Sequence, residues 1–190
     1  MMNILVIVGS ARSDGATMML AKSFIRGARK AGHAVRRVDA ADQDIYPCRD
    51  CGRCWSKGKP CLINDDFNPL APYLNVSDLI VIATPLYYSG ISASIKLILE
   101  KFYAYTLPHS RQKLKMTEAI LIATAEDDNA ETFNSIISDY EKYCQTFGWR
   151  DLSKILVGGV REIGDINEKS ELRVAYELGK SLESPVLESN

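Results

Sequence analysis

The chain has 190 residues, 46% of them apolar, and 23 basic against 24 acidic side chains leave a formal charge of −1. That length suits one domain with a full core, taken as 1–190, rather than two. Acids and bases spread along the chain give no footprint for nucleic acid, and the apolar run Ile4 to Val8 is too short to span a membrane.

The same run lacks the basic flank and cleavage site of a signal peptide. A cytoplasmic location is therefore expected, where structural disulfides are rare.

The first element is "NILVIVG", Asn3 to Gly9, apolar throughout as a strand covered on both faces should be. Leu20, Phe24, Ala28 and Ala31 then recur at helical spacing, with Gly32 as a C-terminal stop. "HAVRRVDA" is short and carries two arginines, which suits an edge strand. A cysteine-rich loop over about 45–66 follows, and then "DFNPLAPYL", whose prolines limit a helix to one or two turns. "DLIVIAT", Asp78 to Thr84, is the next buried strand, followed by the stripe Ile95, Ile98, Leu99 and Phe102. "EAILIATA", Glu118 to Ala125, is another. Phe133, Ile136, Ile137, Tyr140, Cys144 and Phe147 form the next stripe, stopped by Gly148. Cys144 on that stripe reads as a small buried hydrophobe. The fifth strand is "KILVGGV", Lys154 to Val160. The last helix carries Leu172, Ala175, Tyr176 and Leu182, with Asp165 and Glu168 as its capping box.

Such alternation implies a parallel sheet with helices on both faces and right-handed crossovers. With five strands and the arginine-bearing second one at an edge, the order 2-1-3-4-5 of the flavodoxin-like, three-layer α/β/α fold fits best. Ligands then bind at the carboxyl ends of the central strands, which directs attention to three loops.

The first loop, "GSARSDGAT", is neither a P-loop nor G-x-G-x-x-G. It offers the hydroxyls of Ser10, Ser13 and Thr17, the Arg12 guanidinium, a flexible Gly15, and the amides of a helix N-terminus. These are the parts that hold a phosphate, and equally those of an ordinary capped turn. The second, "TPLYYSG", is a rigid loop with two aromatic faces. A planar ring can lie against Pro85, Leu86, Tyr87, Tyr88, Ser89 and Gly90, or the tyrosines merely cover the sheet end. The third, "TAEDDN", is small at Ala125 and then acidic.

On these residues the chain resembles the NAD(P)H-dependent FMN reductase family of the flavodoxin-like fold. "GSARSDGATMML" resembles the family's phosphate loop, and "TPLYYSGISASIKLILEKF" its segment bordering the isoalloxazine. Many relatives have Gly-Asn-Thr where this chain has Gly15-Ala16-Thr17, so one phosphate contact is expected to be missing. The cysteine segment ending in "DDF", with "GGVREIGDI" after the fifth strand, resembles the branch that includes iron–sulfur flavoproteins.

The resemblance implies one FMN per subunit. Ser10, Arg12, Ser13, Gly15, Ala16 and Thr17 would hold its phosphate. Pro85 to Gly90 would border the ring, with the backbone near Thr124 and Ala125. It also implies NAD(P)H as co-substrate, a small acceptor such as a quinone, an azo compound or a flavin, and no catalytic triad, since the flavin carries the chemistry. The alternative is an electron-transfer protein taking electrons from ferredoxin. A homodimer or higher homo-oligomer is expected, with the cysteine loop and Glu100 to His109 as contacts through Trp55, Tyr103, Tyr105 and Leu107.

Cys48, Cys51, Cys54 and Cys61 follow C-x2-C-x2-C-x6-C. Zinc sites usually use two separated pairs, whereas compact x2-x2 spacing is how bacterial ferredoxins supply thiolates to a cubane. A [4Fe–4S] cluster, a cluster-free loop, zinc and a redox disulfide all stay open on the residues alone.

Overall fold

A computed structural model describes residues 1–183, with Ala130 described by its backbone alone. The part of the expected domain from 184 onward lies outside the described residues. Strands β1 (Asn3–Val8), β2 (Ala34–Asp39), β3 (Leu79–Tyr87), β5 (Glu118–Thr124) and β6 (Arg150–Val157) form one parallel sheet in the order β2-β1-β3-β5-β6. β4 (Gly90–Ile91) adds only a two-residue antiparallel rung to the end of β3. With that rung set aside, the order is the expected 2-1-3-4-5, and β2 with its two arginines is indeed an edge.

Along β1, Ile4, Val6 and Val8 enter one core, and Leu5 and Ile7 the other. The strand is apolar on both faces because helices cover both. Helices α1 (Ala16–Lys30) and α6 (Glu171–Ser181) lie on one side. On the other lie α2 (Ala71–Val76), α3 (Ala93–Lys101), α4 (Tyr103–Thr106) and α5 (Asn134–Phe147). Cys144 is buried on α5 as its stripe requires, only 7% exposed.

Two glycines set the α1–α6 spacing. A Cβ on Gly27 would lie 2.9 Å from the Tyr176 carbonyl carbon, and one on Gly179 would lie 2.9 Å from the Ala28 nitrogen. The helices therefore meet backbone against backbone.

Four expectations need correction. The fifth strand runs Arg150–Val157, earlier than Lys154 to Val160. It stops there because Gly159 turns left-handed at φ +67° and Gly158 packs on the Asp127–Asp128 backbone. Asp165–Glu168 is a 3-10 turn rather than a capping box of α6, which starts at Glu171. Asp165 instead accepts hydrogen bonds from the Arg161 and Glu162 amides at 2.9 and 2.8 Å. The "TPLYYSG" segment is a hairpin, because β3 continues through Pro85 to Tyr87. Finally, Trp55 and Tyr105 are interior residues: both are buried, and Trp55 Nε1 donates to the Ala104 carbonyl at 2.7 Å. Neither can serve as an exposed interface aromatic.

Candidate functional site

The carboxyl ends of β1, β3, β5 and β6 surround one cleft of about 350 Å³. That is within the usual size of small-molecule sites. Its walls bring together Ser10, Arg12, Gly15, Ala16 and Thr17 from the first loop and the start of α1, Pro85, Leu86 and Tyr87 from β3, and Thr124 at the end of β5 with Ala125 just after it. Ser13, Tyr88, Ser89 and Gly90 are outside this lining. Ser13 is exposed and its carbonyl accepts a bond from Lys22 Nζ at 2.8 Å.

The first loop is folded back on itself. The Arg12 amide donates to Ser10 Oγ at 3.2 Å, and the Gly15 amide donates to the Arg12 carbonyl at 3.3 Å. A Cβ on Gly15 would stand 3.0 Å from that of Arg12, so the turn is tight. α1 then begins with no side-chain cap and no acidic residue in its first turn. Its leading N–H groups therefore lack the usual side-chain partner, and the helix dipole favours an anion there. The Thr17 side chain lines the cleft. Its hydroxyl lies 2.6 Å from the Thr124 hydroxyl and ties α1 to the end of β5.

The β3–β4 hairpin carries Tyr88 and Ser89 at φ 47° and 64°. Two consecutive left-handed residues make a type I′ turn, normally reserved for Asn and Gly. Residues held this way cost on the order of 1–3 kcal/mol each. The Ser89 carbonyl is fastened by Ser135 Oγ of α5. The turn leaves Tyr88 fully exposed and Tyr87 more than half exposed beside the cleft.

A fourth wall, which the sequence alone does not reveal, comes from Glu126 and from Val160, Arg161, Glu162 and Ile163. Arg12 Nη1 donates to the Arg161 carbonyl at 3.2 Å, and Arg161 Nη1 donates to Glu126 at 2.9 Å. The only sequence signal for it is "GGVREIG", whose paired glycines mark a close backbone approach. Asp127, beside Glu126, is held below the usual carboxylate range by the Thr132 hydroxyl and then the Asn129 amide.

These residues fit an FMN. The uncapped helix start and Arg12 would take the phosphate, and the walls of β3 and β5 would flank a ring. The cysteine loop fits a cluster less well. All five cysteines are free, with Cys48 and Cys51 exposed and Cys54 and Cys61 half-buried. Burial pushes the Cys54 thiol up, and Cys61, Cys48 and Cys51 push it further, so the four sit within electrostatic reach of one another. Yet among the described residues no three His, Cys, Asp or Glu side chains are arranged to hold a metal ion. Likewise, no described helix is long and apolar enough to cross a membrane.

A profile of the family described as NADPH-dependent FMN reductase matches residues 2–131. An iron–sulfur flavoprotein of Methanocaldococcus jannaschii is 29% identical over 100 residues, 53% of this chain and 51% of that protein. The chain thus matches only about half the length of such relatives. The Bacillus subtilis protein YwqN, named for NAD(P)H-dependent FMN-containing oxidoreductase, is 25% identical over 170 residues, 87% of this chain and 89% of its own. In structure, the NAD(P)H:quinone oxidoreductase from Methanothermobacter marburgensis superposes with a TM-score of 0.77 at 16% identity, covering 96% of each chain. That last likeness speaks to the fold.

Proposed function

We propose, from the premise that this chain belongs to the NADPH-dependent FMN reductase family, that it is an NAD(P)H oxidoreductase passing reducing equivalents through bound FMN to a small acceptor of the quinone class. The observation that carries this reading is one cleft with anion-binding groups at one side and an aromatic, open rim at the other.

When bound, FMN supplies hydride acceptance and release. The chain's own residues bind and orient it. Arg12 and the α1 amides would hold the phosphate by charge-assisted bonds. Pro85, Leu86 and Tyr87 form a stiff wall because β3 pairs with β5 as far as Pro85–Thr124. Glu126 and Arg161 close the far wall through their ion pair. The exposed Tyr87, Tyr88 and Ile163 leave an apolar rim on which an aromatic acceptor can rest.

The test is steady-state oxidation of NADH and NADPH by the FMN-loaded protein, with a soluble quinone varied against the nucleotide. Parallel double-reciprocal lines are expected, since both substrates use one cleft in turn. Stoichiometric FMN binding without nicotinamide oxidation would remove the reductase reading.

A second reading rests on Cys48, Cys51, Cys54 and Cys61 lying free in one loop, where burial first, and then Cys61, Cys48 and Cys51, push the Cys54 thiol up. In it these four would hold a [4Fe–4S] cluster and the chain would transfer electrons, as the iron–sulfur names of several relatives suggest. Iron and labile sulfide analysis after anaerobic purification decides it. Iron-free protein would leave the reductase reading alone.

A further inference from the structure

A second cavity lies away from the cleft, in a groove of about 560 Å³ between α1 and α6. Met19, Leu172 and Tyr176 supply apolar surface, while Lys22 and Arg26 of α1 and Arg173 of α6 supply three positive charges. The near-neutral whole chain conceals this local excess: α1 carries Lys22, Arg26, Arg29 and Lys30 and no acidic residue.

Among the described residues, none of Lys22, Arg26 and Arg173 forms an ion pair with a carboxylate. Lys96 of α3, by comparison, pairs with Glu100 of its own helix at 3.1 Å. Three cations gathered at one groove without such a counter-charge repel one another, and an anion there relieves the repulsion.

The groove is also built. Arg26 lies over the Tyr176 ring, 5.2 Å from its centroid. Ser23 Oγ donates to the Leu172 carbonyl at 2.7 Å, pinning the start of α6 to α1.

We infer that this groove binds a small aromatic phosphate of the nucleoside diphosphate class. A simple inorganic anion needs no apolar floor, and a purely apolar ligand needs no cations. The Arg26–Tyr176 pair offers a flat platform for a base. Arg173 and Lys22 offer a guanidinium fork and an ammonium for phosphate oxygens. Lys22 also reaches the Ser13 carbonyl of the first loop at 2.8 Å, so ligand in the groove draws on a side chain that steadies the flavin-binding loop. The site stands independently of the redox reading.

The probe is ADP, titrated by calorimetry into the FMN-loaded protein at physiological salt. One ADP per chain is expected, with affinity lowered about tenfold or more in Arg26→Gln/Arg173→Gln, the loss expected for charge-assisted bonds. The variant's bound-flavin spectrum should be unchanged. The single Arg173→Gln variant, with circular dichroism on both, separates lost binding from lost folding. Inorganic pyrophosphate should bind more weakly than ADP. Absence of binding by the wild type would overturn the site. So would ADP binding that survives both substitutions, which would place the nucleotide in the flavin cleft. Pyrophosphate binding as tight as ADP would reduce the groove to a cationic patch.

Discussion

Lys101 of α3 and Asp65 of the cysteine loop form an ion pair with almost no solvent contact, their side chains 1% and 0% exposed. Asp65 also accepts from the Tyr46 amide at 3.0 Å and the Phe67 amide at 3.2 Å, while Lys101 lies 5.5 Å from the Phe67 ring centroid. The pair is thus the bolt between the "DDF" end of the loop and the helix after β3. Removing one partner strands the other charge. Lys101→Met should therefore lower unfolding free energy in urea by about 3–5 kcal/mol. A change under about 1 kcal/mol would mean that water reaches Asp65.

Gly27 and Gly179 permit the close α1–α6 contact, and alanine at either has backbone rather than a movable side chain in its way. Gly27→Ala and Gly179→Ala should each destabilise by about 1–3 kcal/mol, the usual penalty of overpacking. That would hold although alanine is the better helix former. A gain in melting temperature would show that the helices can part freely.

Arg12→Ala should weaken FMN binding to the apoprotein by about 1.5–3 kcal/mol, the contribution of a charge-assisted bond. Arg12 is exposed, and among the described residues its guanidinium donates to the Arg161 carbonyl, so folding stability should hardly move. Unaltered flavin affinity would place the phosphate elsewhere.

The Thr17–Thr124 hydroxyl pair predicts a coupling. Thr17→Val or Thr124→Val leaves a buried hydroxyl without its partner and should cost about 1–3 kcal/mol. The double variant should recover part of that loss. Strict additivity in the cycle would mean that the two hydroxyls do not bond.

Thiol labelling should separate the cysteines by position. Cys48 and Cys51 are exposed and should react first, and buried Cys144 only on unfolding. Cys54 has its thiol pushed up by burial and by its three neighbours, so less of it is thiolate at a given pH. Its labelling should lag at neutral pH and catch up as pH rises. Mass mapping of a quenched time course reads this order, and early labelling of Cys144 would misplace α5.

A homodimer would rely on Tyr103, Tyr46 and Tyr88, which are exposed, rather than on Trp55 and Tyr105. Light scattering of the FMN-loaded protein at micromolar concentration should give twice the chain mass. A monomer would remove it.

The sheet was legible because its strands are local objects. "ILVIV" and "LIVIAT" are apolar at every position, which only a strand covered on both faces explains, and the arginines of β2 mark the uncovered edge. The first loop was legible for a similar reason: Ser10 to Thr17 are neighbours in sequence, and their chemistry is visible without distant partners. Tertiary structure decided what depends on distant segments meeting. The wall from Glu126 and Arg161 joins residues 35 apart, and only the sheet order brings them together. Tyr88 and Ser89 take left-handed angles because strand pairing imposes a turn that neither residue favours alone. Trp55 reads as a loop aromatic until Ala104 comes within hydrogen-bonding distance, and nothing in the sequence singles out Gly27 and Gly179 until α1 and α6 touch. Periodicity records which face of an element is buried, but burial partners are set by chain crossings, and those follow from packing the whole molecule at once.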